Sequence, residues 1–212
     1  MNPADGIHLP RSRSRSPPES KPTVTVSESS SLQSPVSTTP MVSEPQQVRL
    51  TDGQVLMTGE QGQYQLLALA RVSPELAWSV LTDYESFCTF LPSVVDSRII
   101  RSDGARKLLE QTDRRRIMLK TVETRILTEN LEIGQEQISF RLIEGNLKYM
   151  YGHWRLDPAA WPPEAAVSTL ISQQVRADID FNRPIKKMFY KLFESSLVDT
   201  MVAMRDEMER RF

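Results

Sequence analysis

The last segment of the chain, residues 184–212, carries apolar side chains at the spacing of an α-helix. At about 1.5 Å of rise per residue, such a helix is on the order of 40 Å long, enough to cross a small domain. A helix with so wide an apolar stripe needs a concave surface in which to bury it. The stripe consists of Phe189, Phe193, Leu197, Met201, Met204 and Met208, widened by Ile185, Met188, Leu192, Val198 and Val202.

Between residues 54 and 179, apolar and polar side chains mostly alternate, and this pattern predicts strands. The first strand is broken near Gly59 and Gly62, and two short helices follow it. Ser73 and Pro74 begin the first helix as N-cap and first helical residue, and Pro92 ends the second. The predicted strands are 54–71, 94–101, 106–112, 117–127, 137–143, 148–156 and 166–179, with 113–116 and 130–135 as connections.

Short connections between consecutive strands favour an antiparallel meander. A curved antiparallel sheet wrapped around the long C-terminal helix buries both the inner face of the sheet and the stripe of the helix. The sequence therefore predicts an α+β fold with two short helices after the first strand and a cavity between sheet and helix.

One hairpin, residues 140–157, indicates what surrounds that cavity. Alternation places Met150, Gly152, Trp154 and Leu156 on one face, and His153 on the other with its tyrosine and arginine neighbours. A glycine two residues before a central tryptophan is typical of a sheet that bends around something. The pattern leaves open whether this is only protein core or also a ligand.

Composition divides the chain in two. No aromatic residue precedes Tyr64, and residues 1–47 hold most of the 14 prolines together with many Ser and Thr. Such a segment cannot bury enough apolar surface to offset the entropy of ordering it. We therefore predict a disordered tail over 1–47 and one domain over 51–212.

Bulk properties exclude several classes of protein. A net charge of −1 predicts no binding to nucleic acid, and the chain has no apolar run long enough for a transmembrane helix. The N-terminus lacks the apolar core of a signal peptide, and the single Cys88 fits a reducing compartment, so we expect a cytoplasmic protein. Two His and one Cys, widely separated, make no metal site, and no glycine spacing indicates a cofactor.

Two motifs resemble a known superfamily. A short helix written Asp-Tyr-x-x-Phe-x-x-Phe-Leu-Pro occupies residues 83–92, and Glu-Gly-x-Leu followed by Gly-x-Trp-x-Leu occupies 144–156. Together they resemble the START-like (SRPBCC) helix-grip superfamily, in the branch of polyketide cyclase/dehydrases and coenzyme Q-binding proteins. The resemblance implies a helix-grip fold with a deep apolar pocket for a quinone, lipid or polyketide-like ligand.

The candidate ligand-binding residues follow from the alternation of the strands and the stripe of the helix. Each of them could equally be dry core, since aromatic and methionine stripes usually serve packing. We predict that Tyr84, Phe87 and Phe90, on the second short helix, lie at the mouth. The predicted interior consists of Ile138, Phe140, Leu142, Met150, Trp154, Leu156, Val167, Thr169, Ile171, Phe189, Leu192, Phe193 and Leu197.

No catalytic residues are identified, because no triad or paired carboxylates appear. The polar groups expected inside are Thr169, Gln173, Glu123 or Arg125. We therefore expect binding of a hydrophobic small molecule, for transport or chaperoning. A cyclase or dehydratase acting on a polyketide-type chain is the alternative, and it requires a cavity-facing ionisable group with a shifted pKa.

A third interpretation is an interaction module, in which the tail or an outer face with Tyr149, Tyr151 and His153 binds a partner. The basic run at residues 114–116 could attract lipid headgroups in a transient membrane contact. Asp113 and Glu123 lie among these charges, so a solvated hairpin end explains the run equally well. The sequence does not define an oligomeric state.

Overall fold

The computed structural model describes residues 41–117, 120–162 and 167–212. Residues 1–40 of the predicted disordered tail lie outside these ranges. The helices are α1 (Glu44–Thr51), α2 (Pro74–Leu81), α3 (Phe87–Phe90, preceded by a 3-10 turn, Tyr84–Ser86) and α4 (Arg183–Arg210). The strands are β1 (Leu56–Glu60), β2 (Gln63–Ala70), β3 (Val94–Asp103), β4 (Arg106–Ile117), β5 (Lys120–Ile133), β6 (Gln137–Glu144), β7 (Tyr149–Ala159) and β8 (Ser168–Asp178).

The eight strands form one antiparallel sheet in the order β1-β2-β8-β7-β6-β5-β4-β3. β3 to β8 are a meander, and β8 closes against β2 at the far side. The long helix α4 packs on the inner face of this curved sheet, and α2 and α3 cover the same face. The predicted α+β helix-grip fold, with its two short helices and long C-terminal helix, is confirmed.

The structure extends two strands into segments that were predicted to be connections, and it adds one helix. β4 and β5 continue through residues 113–116 and 130–133, which were predicted to be connections. Arg114 Nε pairs across the strands with Glu123 Oε1 at 2.7 Å, so polarity there marks a solvated hairpin and not a loop. The sequence analysis also missed α1, whose first turn lies inside the predicted tail and is capped by a hydrogen bond from Ser43 N to Gln46 Oε1.

Both faces of the sheet bury apolar residues. The larger core lies on the inner face, where strand residues such as Leu66 and Ile171 pack with the methionines of α4. A smaller cluster of leucines occupies the opposite face, because neighbouring strand residues such as Leu66 and Leu67 point in opposite directions. Leu50 of α1 covers this second cluster.

The N-terminal half of α4 is tied to the end of β8 and to β2. Asp178 accepts hydrogen bonds from Lys186 Nζ at 2.9 Å and from Tyr190 OH at 2.8 Å. One turn further along, Tyr64 OH donates to Glu194 Oε1 at 2.7 Å. These contacts fix the helix across the sheet before its buried methionines begin.

The C-terminal end of α4 is held by a buried carboxylate. Glu207, with a side chain 6% exposed, accepts hydrogen bonds from Arg210 and Arg211. Arg211 in turn donates to Asp83 Oδ2 at 2.8 Å, directly before the 3-10 turn. The end of the helix is therefore connected to the segment that carries Tyr84 and Phe87.

Within the described ranges, no helix is both long and apolar enough to span a bilayer.

We predict that Glu207 makes the stability of the domain depend on acid pH. The hydrogen bond from Arg210, together with the one from Arg211, lowers the pKa of Glu207 to about 2. Burial of the Glu207 carboxyl group acts in the opposite direction and raises the pKa. The unfolded-state value is about 4.3. Because the pKa is depressed on folding, ionised Glu207 contributes stability above about pH 4.3, and this contribution is lost as the pH falls towards 2.

Thermal unfolding followed by circular dichroism between pH 7 and pH 2.5 tests this. At pH 7, Glu207→Gln should lower the free energy of unfolding by about 2 kcal/mol and should therefore lower Tm. Its Tm should also fall less on acidification than that of the wild type. Asp206→Asn, which removes a more exposed carboxylate on the same helix, serves as the control and should retain the acid dependence of the wild type. Equal slopes for Glu207→Gln and wild type would contradict the assignment.

Candidate ligand-binding cavity

A cavity of about 160 Å³ lies between α4 and the sheet. Strands β4 to β8 form one wall, α4 forms the opposite wall, and α2, the 3-10 turn and α3 close one side. Its lining consists of Leu81, Tyr84, Phe87, Leu91, Leu109, Gln111, Thr128, Asn130, Ile138, Phe140, Met150, Trp154, Gln173, Val175, Phe193, Leu197, Thr200 and Met204.

The sheet wall is built from rows of side chains that face each other across neighbouring strands. One row runs from Gln173 through Trp154 to Ile138, and the next runs from Val175 through Gly152 to Phe140. A Cβ atom at Gly152 would overlap the carbonyl oxygen of Gln174 and lie 2.9 Å from Phe140 Cζ. The glycine therefore lets the Phe140 ring lie across β7 at the cavity.

The helical walls are mostly aromatic and aliphatic. Tyr84 packs edge-on against Phe87, with ring centroids 5.6 Å apart, and both are buried. On α4, Phe193 is half-buried and its ring lies 6.1 Å from that of Tyr64 on β2. Aromatic pairs in such geometries stabilise the walls beyond the area that they bury.

Few polar groups face the cavity, and two of them form hydrogen bonds to other protein side chains. Asn130 Nδ2 donates to Thr128 Oγ1 at 3.0 Å, and Tyr84 OH donates to Glu132 Oε1 at 3.1 Å. Gln173 differs, because its side-chain oxygen is buried without a hydrogen-bond partner among the described residues.

Tyr84 is the one titratable side chain among the described residues that line the cavity. Burial, followed by the neighbouring carboxylate of Glu132, raises the pKa of Tyr84 far above its ordinary value. The phenol therefore keeps its proton, and that proton is engaged with Glu132. Among the described residues, no cluster of His, Cys, Asp or Glu could hold a metal ion.

The structure places about half of the predicted ligand-binding residues at the cavity. The aromatic residues of the predicted mouth and the central residues of β6, β7 and α4 meet there, although Phe90 does not. The predicted residues in the lining are Tyr84, Phe87, Ile138, Phe140, Met150, Trp154, Phe193 and Leu197. Their contact with a ligand stays a prediction.

Three predicted residues on the sheet lie on the inner face but beyond the cavity. Leu156, Thr169 and Ile171 are buried where α2 packs on β7 and β8. The hydroxyl of Thr169 donates to the backbone oxygen of Val72 at 2.8 Å, so it serves the core. Alternation predicts the face of a strand correctly, but it does not say how far along the strand the cavity extends.

The other predicted lining residues are displaced for individual reasons. Phe90 packs edge-on against Phe87, with centroids 5.8 Å apart, and Phe189 stacks on Phe193 from outside the cavity. Leu192 and Val167 are exposed, at 39% and 45%. Leu142 lies near the end of β6, 3.2 Å from where a Cβ atom of Gly145 would stand.

The polar candidates also divide. Gln173 lines the cavity, whereas Glu123 and Arg125 point away from it and pair with Arg114 and Glu110. His153 is half-buried and absent from the lining, as predicted from its parity. Burial, and next the charge of Arg155, lower the pKa of His153, so the imidazole is neutral at pH 7.

The predicted interior lacked the lining residues of β4 and β5, three residues of the helices, and Leu91 at the end of α3. Those on the strands are partly polar, so an interior chosen by hydrophobicity excludes them. The alternation of side chains along β4 and β5 could have identified the strand residues. Leu109 and Gln111 are two residues apart, as are Thr128 and Asn130, so each pair lies on one face of its strand. The missed residues are Leu81, Leu91, Leu109, Gln111, Thr128, Asn130, Thr200 and Met204, with Val175, whose face on β8 was predicted correctly.

Comparison with solved structures identifies proteins of the same fold. A START superfamily protein from Mycobacterium smegmatis is 17% identical, with a TM-score of 0.57 over 73% of this chain and 100% of that one. The Zhui aromatase/cyclase from a Streptomyces species is 14% identical, with a TM-score of 0.56 over 74% and 96%. A STAR-related lipid transfer protein from Xanthomonas axonopodis is 14% identical, with a TM-score of 0.54 over 73% and 92%.

At identities this low, structural likeness concerns the fold alone. No curated protein sequence matches the chain. The family model for polyketide cyclase / dehydrase and lipid transport matches residues 71–205, which is more than half of the chain. The chain therefore belongs to the polyketide cyclase / dehydrase and lipid transport family.

Proposed function

We propose that the protein binds one hydrophobic small molecule between α4 and the sheet and carries it without transforming it. The observation that carries this proposal is the cavity itself, with its mainly aliphatic and aromatic walls. Folded proteins seldom keep voids larger than a water molecule, since each void forfeits packing energy. An apolar space between secondary-structure elements, with few polar groups in its walls, is the usual form of a small-molecule site.

The volume limits what fits. A dry apolar cavity of roughly 150 Å³ holds benzene, whereas pockets for drug-sized ligands are roughly 300–1,000 Å³. At about 160 Å³, this cavity accommodates one ring or a short alkyl segment. A quinone, lipid or polyketide-like ligand would place one ring or chain end inside, with the remainder extending past the half-buried Phe140, Met150 and Phe193.

Family membership supports this class of ligand. The family description names both lipid transport and polyketide cyclases, and the structural relatives include a lipid transfer protein and an aromatase/cyclase. Delivery or chaperoning of a quinone or a related lipid is the specific form that we favour. It requires only binding, which the walls of the cavity supply.

The alternative, a cyclase or dehydratase, receives less support from the lining. Proton transfer at a carbonyl-bearing chain needs an acid or base whose pKa lies near the working pH. Tyr84, whose pKa is raised by burial, is a poor acid, and its proton is bonded to Glu132. Cyclisation of a poly-β-keto substrate that Tyr84→Phe abolishes would favour the enzyme over the carrier.

Filling the cavity tests the binding proposal. Purified protein would be incubated with a total organic extract of cells, separated from free compounds by gel filtration, and examined by native mass spectrometry. We expect wild type to retain an apolar adduct, and Val175→Phe to retain about tenfold less or lower still, because the new ring occupies the cavity. Overpacking should cost Val175→Phe about 1–3 kcal/mol of stability.

Val95→Phe is the matched control, since Val95 is 41% exposed and lies outside the cavity. It should retain the adduct at the level of wild type, and circular dichroism should show both variants folded. A wild type without any adduct would contradict the proposal. Equal retention by wild type and folded Val175→Phe would place the ligand elsewhere and contradict it as well.

We also propose that the protein contacts membranes transiently through the N-terminal half of α4. Ile185, Met188 and Leu192 are exposed along one side of this helix. Lys187 and Lys191 lie beside them, exposed and without an ion pair in the described part of the chain. An apolar strip flanked by lysines matches an anionic lipid surface, where each lysine contributes about 1 kcal/mol.

Vesicle sedimentation tests the membrane contact. Wild type should bind phosphatidylcholine vesicles that contain phosphatidylglycerol more strongly than pure phosphatidylcholine vesicles. The double variant Lys187→Gln/Lys191→Gln should weaken that binding about tenfold or more. Arg49→Gln/Lys107→Gln removes two positive charges elsewhere and should leave it unchanged. Equal losses for the two double variants, or equal binding to both kinds of vesicle, would refute a contact through α4.

A further inference from the structure

The side-chain amide of Gln173 is an unpaired polar group in the wall of the cavity. Gln173 is 5% exposed, and its Oε1 atom has no hydrogen-bond partner among the described residues. A buried amide oxygen without a partner destabilises a fold, and native structures seldom retain one without a reason. The side that remains open to this amide is the cavity, because Gln173 is one of its lining residues.

Its surroundings supply no partner from the sheet. In the register of the strands, Gln173 lies opposite Leu66 of β2 on one side and Trp154 of β7 on the other. Two residues further along the same face of β8 is Val175. The amide is therefore a single polar group within an apolar region of the wall.

The other buried polar side chains of the lining are bonded within the protein. Asn130 donates to Thr128, and Tyr84 donates to Glu132. Among the described residues of the lining, Gln173 alone has a side-chain oxygen that is itself fully buried and lacks a donor.

We infer that Gln173 is the polar anchor of the ligand site and bonds a hydroxyl or carbonyl group on a ring-sized apolar molecule. The inference rests on the proposed function and adds the chemical class of the ligand. An amide offers an oxygen acceptor and two N–H donors, and rotation about its terminal bond presents either one to the cavity. A single bond of this kind orients a ligand that the apolar walls otherwise hold without direction.

The same geometry excludes charged head groups from this end of the cavity. The described lining contains no Lys, Arg, His, Asp or Glu. A carboxylate or phosphate placed beside Gln173 would be desolvated without a counter-charge, which is far more costly than burying a neutral oxygen. The ligand class is therefore neutral, with one hydrogen-bonding oxygen on the buried ring.

Phenol and toluene are probes that test this, because they have nearly the same size and differ by hydroxyl against methyl. Their dissociation constants would be measured for wild type and for Gln173→Met, which keeps the length of the side chain but removes the amide. We expect the preference for phenol over toluene to fall about tenfold in Gln173→Met, which corresponds to about 1.4 kcal/mol. Val175→Ala, two residues along the same face, should change both constants by similar factors and keep their ratio.

A measurement on wild type alone guards against a variant that fails to fold. In ¹⁵N-resolved spectra, the side-chain N–H signals of Gln173 should shift on saturation with phenol and stay nearly in place with toluene. If both probes bind but their ratio is unchanged in Gln173→Met, or the Gln173 signals respond alike to both, the anchor is refuted while the cavity stands. If neither probe binds wild type, the proposed binding function fails, and the anchor with it.

Discussion

The whole arrangement depends on the way in which α4 is fixed at both ends, to the sheet at one end and to the segment before the 3-10 turn at the other. Near its N-terminus, Lys186 and Tyr190 bond Asp178 at the end of β8. Near its C-terminus, Arg211 joins Glu207 to Asp83. These bonds limit how far the middle of the helix can move towards the sheet. The cavity lies below Phe193 to Met204, between the two attachments, although each void in a core costs packing energy.

This arrangement favours binding over chemistry. The curved sheet supplies a wall whose shape is set by backbone pairing, and Gly152 allows an aromatic ring to cross a neighbouring strand. Charged side chains pair on the other face, as Glu110 does with Arg98 and Arg125, so the described lining stays neutral. What remains inside is apolar surface with a few amides and hydroxyls, which can hold and orient a molecule but are poorly suited to moving protons.

Much of the fold could be predicted from the sequence because periodicity reports directly on burial. The helical stripe that ends at Met208 and the strand alternation around Trp154 each require a partner surface, and only a curved sheet around a helix satisfies both. The depth of the cavity could not be predicted in this way. Met150 and Leu156 share one face of β7, yet of these two only Met150 lines the cavity, while Leu156 is buried in the core and α2 packs on the same strand.

Methionine methyl groups report directly on whether the space under α4 is an accessible apolar cavity. Met150 and Met204 line the cavity, whereas Met57 and Met188 lie outside it. Xenon enters dry apolar cavities of this size. In ¹³C-methyl spectra recorded under rising xenon pressure, we expect saturable shifts of the Met150 and Met204 signals, with those of Met57 and Met188 nearly constant. Signals of Met150 and Met204 that do not respond, or that respond no more than those of Met57 and Met188, would contradict an accessible cavity.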